Sequence, residues 1–278
     1  MHRSVNAVGA TYQADTLKAR YGPSKIYRAG RLLLLFAVLL GVSAYQAEVN
    51  LLELVKELPE GATKLAEFWP PDWSALPSLI EPALVTMLMA LIPLPIGLIL
   101  SIPIALAASQ NISPQWLRLS TRVYITLQRN LPEFILVLIL VRAFGLGPLP
   151  GIVALVFGSI GMLGKLVADA IEEIDQSIID NVAITGASWW QTVRYAVIPV
   201  VMPNIIANTI FRFEINMRQA GLLGAVGAGG LGWELAYALN LLEYERVTMT
   251  FLVLLLLVTT AELVSDQLRR RLGGLRDV

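Results

Sequence analysis

Cysteine is absent from this chain, and histidine occurs once, at His2. Those gaps exclude disulfides and cysteine nucleophiles, and they leave no Cys/His metal site and no plausible His general base. Charge is scarce as well. Asp, Glu, Lys and Arg make up 15% of the 278 residues, where a soluble domain carries roughly 25%. With 56% hydrophobic residues and a mean hydropathy of +0.65, there is too little charge to solvate a globular surface, so lipid must cover much of it. The 21 basic and 21 acidic side chains cancel, which gives no basic excess for nucleic acid.

What is present is long apolar runs. A helix needs ~20 mostly apolar residues to cross the hydrocarbon, and on that basis spans are predicted near 31–49, 79–108, 123–145, 150–171, 197–220 and 246–266. The chain is therefore expected to be an all-α integral membrane protein with about six transmembrane helices. Pro93, Pro95 and Pro103 interrupt the second run; each removes a backbone hydrogen bond, so a kink or a backbone-lined cavity is expected there.

Lys and Arg select the inner side of a membrane. Arg3, Lys18, Arg20, Lys25, Arg28 and Arg31 precede the first span, and Arg269, Arg270, Arg271 and Arg276 follow the last. Segment 50–78 has Lys56 and Lys64 against Glu53, Glu57, Glu60, Glu67 and Asp72, and 221–245 has no Lys or Arg. Both termini are expected in the cytoplasm, which agrees with an even number of spans. The organisation predicted is a cytoplasmic segment 1–30, a first span 31–49, an external loop 50–78, a membrane core 79–266 and a cytoplasmic tail 267–278. The basic stretch before the first span is too long for a cleaved signal peptide.

Within the core, residues 172–196 read as two short helices joined by an elbow on the cytoplasmic side. Gly186 suits the left-handed residue just past a helix end. Ser188 with Gln191 has capping-box spacing for a new helix, which runs into Pro199. Trp189 and Trp190, at that helix start, suit a protein interface or the headgroup belt.

The spacing of Asp180, Gly186 and Pro199 resembles the EAA loop of ABC-importer permeases. Asp180 stands where that family has Glu, Asn181 and Val182 where it has Ala, and Ala196 where it has Ile. Four further stretches resemble the phosphonate/phosphite branch: Arg129 to Glu133, Val141 to Pro148, Ser159 to Lys165, and Arg212 to Arg218 running on to Gly232. The resemblance implies the transmembrane domain of a type I ABC importer, similar to a methionine permease, in a bacterial inner membrane. It implies that Asp180, Gly186, Ala187, Ser188, Trp189, Trp190 and Pro199 couple to an ATPase, and that Gly227, Gly229, Gly230 and Gly232 lie near an external gate. The implied partners are a second permease copy, two cytoplasmic ABC ATPase subunits and an external substrate-binding protein. No cofactor is expected on this chain; ATP and Mg belong to the ATPase.

Charges at mid-bilayer cost ~2.5–3.5 kcal/mol each on insertion scales, so they face protein or water. Asn204, Asn208, Arg212 and Asn216 recur every four residues, a polar stripe on one helix face. Glu214 and Arg218 have the favourable i,i+4 order for an ion pair. The stripe suits glue between helices, or an oxyanion path in which Arg212 or Arg218 presents its guanidinium fork. Arg129 and Glu133 stand four apart in the poorer order; Lys165 and Arg212 are candidate partners for Glu133, and Lys165 could pair with Asp169. Gly158, Gly161 and Gly164 form a flat face for a close helix crossing or a dimer seam.

Two strings mimic nucleotide motifs. Gly227-x-Gly229-x-x-Gly232 lacks the strand that gives a dinucleotide fingerprint its meaning. Gly164-Lys165 is followed by Leu166, not Ser or Thr, and lies within a span, so it is no phosphate loop. Rival readings are a permease for methionine or a quaternary amine, a membrane-embedded enzyme, and a scaffold. The deep arginines favour an anion over the first two cargoes, and no carboxylate pair at metal-ligand spacing supports an enzyme.

Overall fold

The structure, a computed structural model, describes residues 23–46 and 51–273. All described elements are helical. The chain divides at residues 65/66 into two units. The first unit holds α1 (Pro23–Gln46) and most of α2 (Leu51–Ala66). Within α1, Gly30–Gln46 is apolar but shorter than a full span, and residues 47–49 of the predicted first span lie outside the described residues. Residues 51–66 are helical where the sequence reads as a loop.

The second unit opens with a 3-10 turn (Trp73–Leu79), α3 (Ile80–Leu91) and α4 (Pro93–Ala108). Then follow α5 (Gln115–Arg129), α6 (Glu133–Phe144) and α7 (Pro148–Glu172). The elbow consists of α8 (Gln176–Ile184) and α9 (Trp189–Thr192). A π turn (Val193–Val197) leads into α10 (Ile198–Leu223), a second π turn (Gly224–Ala228), α11 (Gly230–Asn240) and α12 (Tyr244–Gly273).

Among the described residues, four helical stretches are long and apolar enough to span a membrane: Trp73–Ala108, Pro148–Glu172, Trp189–Ala228 and Tyr244–Arg271. The predicted third span, 123–145, is corrected: it is the pair α5 and α6, bent by 79°. Pro132 causes the break. It has no N–H, it disfavours helical geometry at Leu131, and it is tolerated as the start of the next helix. Counting that pair as one span gives five. Trp189–Ala228 has 40 residues, about 60 Å at 1.5 Å per residue, so much of it must project beyond a hydrocarbon layer of ~30 Å.

Helix α7 is the spine, with α4, α5, α6 and α10 packed around it. At the elbow end the core gathers Leu106, Ile125, Val167, Ile171, Val197 and Val201. Toward the opposite end it gathers Met89, Val137, Leu155, Ala220, Leu223 and Ala228. The glycines of α7 answer the choice left open by sequence. A Cβ on Gly161 would press on Gln128, and one on Gly164 on Ile104. The face therefore seats helices of the same chain.

Candidate functional site

Between the two cores lies a polar cluster that apolar packing alone would not produce. Arg212, on α10, is 3% exposed. Its Nη2 donates to Glu133 Oε1 at 2.9 Å, its Nε donates to Ser159 Oγ at 2.9 Å, and Nη1 lies 3.5 Å from Met162 Sδ. Glu133 opens α6 just after the Pro132 break, and its second oxygen accepts from Gln219 Nε2. Three helices thus converge on one guanidinium. Gly158 makes room for the pair, because a Cβ there would fall on the Glu133 carboxylate and 2.7 Å from Arg212 Nη2. One turn further along α10, Asn216 is fully buried and donates to the Ala90 carbonyl at 3.2 Å.

A cavity of about 390 Å³ adjoins this cluster, lined by Gln128, Arg129, Glu133, Gly158, Lys165 and Arg212 among others. Of the three cations that line it, Arg212 is paired with Glu133 and Lys165 with Asp169. Arg129 is exposed and makes no ion pair among the described residues. Lys165 reaches Asp169 at 2.5 Å, one of the pairings expected from sequence.

One expected pairing forms and one is corrected. Glu133 pairs with Arg212, one of its two candidate partners in sequence, and the Pro132 break separates it from Arg129 onto a different helix. Glu214 pairs with Arg269 of α12 at 2.6 Å, not with Arg218. Glu214 is 5% exposed and faces α12, whereas Arg218 is exposed. Asn208 is half-buried and lies on the same helix, outside the cluster. Gln128, Ser159, Gln219 and Arg269 were missed in sequence; 53 residues separate Ser159 from Arg212, and no local pattern links them.

The elbow forms as its sequence dictates. Asp175 caps α8 by accepting from the Ser177 N–H at 2.9 Å. That hydrogen bond, with a second from the Ser177 hydroxyl, holds the Asp175 carboxyl below its ordinary range. Helix α8 ends at Ile184, and Gly186 follows with φ +83°, the left-handed region that glycine enters without strain. The Ser188 N–H then donates to Gln191 Oε1 at 2.7 Å, an arm of the capping box. Asp180 accepts from Gln176 on the exposed side of α8. Ala187 is half-buried beside Gly186, and Pro199 sits in the first turn of α10.

The two tryptophans divide the work. Trp189 donates its indole N–H to the Ile112 carbonyl at 3.0 Å, which ties the elbow to the α4–α5 connection. Trp190 stands edge-on to it and is 71% exposed, near Ile184, which is 82% exposed. Behind the tether lies a clamp that sequence did not disclose. Arg122 Nη2 contacts both Glu172 oxygens at 2.6 Å, its Nε donates to the Ala108 carbonyl at 3.1 Å, and Glu172 also accepts from the Gln110 N–H.

At the other end, Gly224 to Gly232 is no dangling loop. It is a kinked turn and the start of α11, with Gly227, Gly229 and Gly230 at positive φ. The Leu231 N–H donates to Thr86 Oγ1 at 2.8 Å, and a Cβ on Gly230 would fall on the same hydroxyl and one on Gly232 on the Gly221 carbonyl.

Residues 97–274 match the family described as "Binding-protein-dependent transport system inner membrane component". The chain belongs to this family. The permease is 34% identical over 270 residues to the phosphite transport system permease protein PtxC of Stutzerimonas stutzeri, covering 97% of this chain and 98% of the relative. It is 36% identical over 232 residues to the putative phosphite transport system permease protein HtxC of the same organism, covering 83% and 82%. It is 38% identical over 205 residues to the phosphate-import permease protein PhnE of Mycolicibacterium smegmatis, covering 73% of this chain and 38% of that one. Among solved structures it resembles the MetNI methionine ABC transporter, with a TM-score of 0.63 at 21% identity over 72% of this chain and 99% of that one. That likeness concerns the fold alone; membership of the transport family rests on the match over residues 97–274.

Proposed function

We propose that this chain is the membrane-spanning subunit of an ATP-driven importer of a phosphorus oxyanion such as phosphite or a phosphonate. The observation that carries this reading is the relation to a phosphite permease over nearly the whole of both chains. The exposed Arg129 beside the cavity supports it, since a guanidinium with no ion pair among the described residues suits phosphorus oxygens.

In this reading the elbow faces the cytoplasm, as the positive-inside pattern supports, with both termini on the same side. Trp190 and Ile184 offer apolar surface to an ATPase subunit, the kind of anchor that concentrates binding energy. The ATPase supplies ATP hydrolysis with its Mg, a second copy of this chain completes the pathway, and a binding protein delivers cargo from outside. Closure of the ATPase pair would rock the spans between outward- and inward-facing states.

The test is reconstitution in liposomes with the cognate ATPase and binding protein. Phosphite, a phosphonate or phosphate is expected to stimulate ATP hydrolysis at least several-fold, with sulfate and methionine inactive. Stimulation by methionine alone would refute the substrate assignment.

A further inference from the structure

The two arginines of α10 that sequence offers as anion ligands have different surroundings. Arg212 is fully engaged by Glu133 and Ser159. Arg218 is exposed and its side chain makes no hydrogen bond or salt bridge among the described residues, although the Glu214 carboxylate one turn away is within electrostatic range. At 100° per residue, Phe211, Ile215, Arg218 and Leu222 fall within a sector about 60° wide. Arg212, Asn216 and Gln219 point away from it toward α3, α6 and α7, and Glu214 and Gly221 point toward α12. Leu222 is 70% exposed and Phe211 39%, so one open face runs along α10 with a single cation on it.

The depth of that cation follows from the neighbouring helix. A Cβ on Gly221 would lie 3.0 Å from Leu254. Leu254 is midway between Arg246 and Glu262, the charges that bound an uncharged stretch of α12. Arg218 is one turn from Gly221, about 4.5 Å along the axis, so it lies at the level of that stretch. A guanidinium there is not stable against hydrocarbon; it requires water or a counter-ion.

We propose that this face of α10 lines the water-filled path and that Arg218 is the residue that binds the translocated oxyanion. This rests on the oxyanion reading above and narrows it to one side chain. The guanidinium fork would grip two phosphorus oxygens and release them as the path changes access, while Arg212 holds the helices together.

The absence of cysteine makes a direct test possible. Arg218→Cys, Leu222→Cys and Leu256→Cys, the last on the exposed side of α12, are reconstituted with ATPase and binding protein and treated with a sulfonate-bearing methanethiosulfonate. The first two are expected to react at least tenfold faster than Leu256→Cys, and phosphite should slow the reaction at Leu222→Cys, which keeps Arg218, several-fold where sulfate does not. Arg218→Lys should raise the KM for phosphite uptake, and Arg218→Gln should abolish uptake with the ATPase still bound. An unreactive Leu222→Cys would mean that lipid or protein covers this face, and would overturn the proposal even if Arg218→Cys does not fold. Normal phosphite uptake by Arg218→Gln would overturn it alone, whereas a wild-type protein that imports no phosphorus oxyanion would remove the substrate reading and this proposal together.

Discussion

Replacing Glu133 by Ala takes the carboxylate from a guanidinium that is 3% exposed. Arg212 would keep Ser159 Oγ and the weak contact with Met162, but no counter-charge. Removing one member of a buried pair costs ~3–5 kcal/mol, mostly because a charge is left uncompensated. That is a large part of the ~5–15 kcal/mol that holds a typical folded domain together. Gln219 loses its acceptor in the same step, so the upper half of the range is expected.

The reverse truncation should be milder. In Arg212→Met, Glu133 keeps Gln219 and is 18% exposed beside the cavity, so its charge retains some solvation. The double variant Glu133→Ala/Arg212→Met removes both charges, and such replacements are often neutral or stabilising. It is expected to melt above Glu133→Ala, with a coupling energy within the ~0.5–3 kcal/mol usual for residues in contact. The assay is thermal melting of the detergent-purified permease by size-exclusion fluorescence, with uptake measured in parallel. A Glu133→Ala protein that melts like wild type yet transports nothing would refute the structural role and return both residues to the substrate path.

Trp189→Phe removes the bond to the Ile112 carbonyl and should cost ~0.5–1.5 kcal/mol, whereas Trp190→Ala should leave the melting temperature unchanged and reduce ATPase co-purification. Gly186→Ala meets no neighbour within 4 Å, so its cost should be that of forcing a left-handed conformation, ~1–2 kcal/mol, with Gly186→Asn closer to wild type in the same melt. The Asp175 carboxyl titrates below its unfolded value, so its stabilising effect is present above pH ~3.9 and is lost as pH falls through the folded value. Hydrogen exchange in Gln176–Ile184 should therefore quicken below that pH in wild type and show no such step in Asp175→Asn.

The parts legible in sequence share a local cause. Gly186 and the Ser188–Gln191 box act within one turn of chain, and apolar length alone announces Pro148–Glu172 and Tyr244–Arg271. Pro132 was equally visible, but the apolar run through 123–145 outweighed it; a break that keeps both flanks greasy leaves hydropathy unchanged. Spacing of i,i+4 held for Lys165 and Asp169 and failed where a better partner lay across space. Glu214 had Arg218 one turn away and took Arg269 instead, 55 positions on. Likewise the clamp between Arg122 and Glu172 spans 50 positions, and nothing in the spacing of either residue points to the other.

Helix α10 connects these features mechanically. It is bounded by π turns at Val193–Val197 and Gly224–Ala228, where the hydrogen-bond ladder changes register; such segments are common at functional sites. Between them, Ile198–Leu223 is continuous helix and carries Arg212, Glu214 and Asn216, each anchored to a different neighbour. A rod pinned by three polar contacts and bounded by π turns at both ends would move as one body under load. A displacement of the elbow by an ATPase, as proposed above, would be either absorbed in the first π turn or passed to the Glu133–Arg212 pair, and the Trp189 tether to Ile112 would oppose the first outcome. On the coupling mechanism proposed above, the buried charges would keep α10 stiff, which apolar contacts that slide on one another would not do.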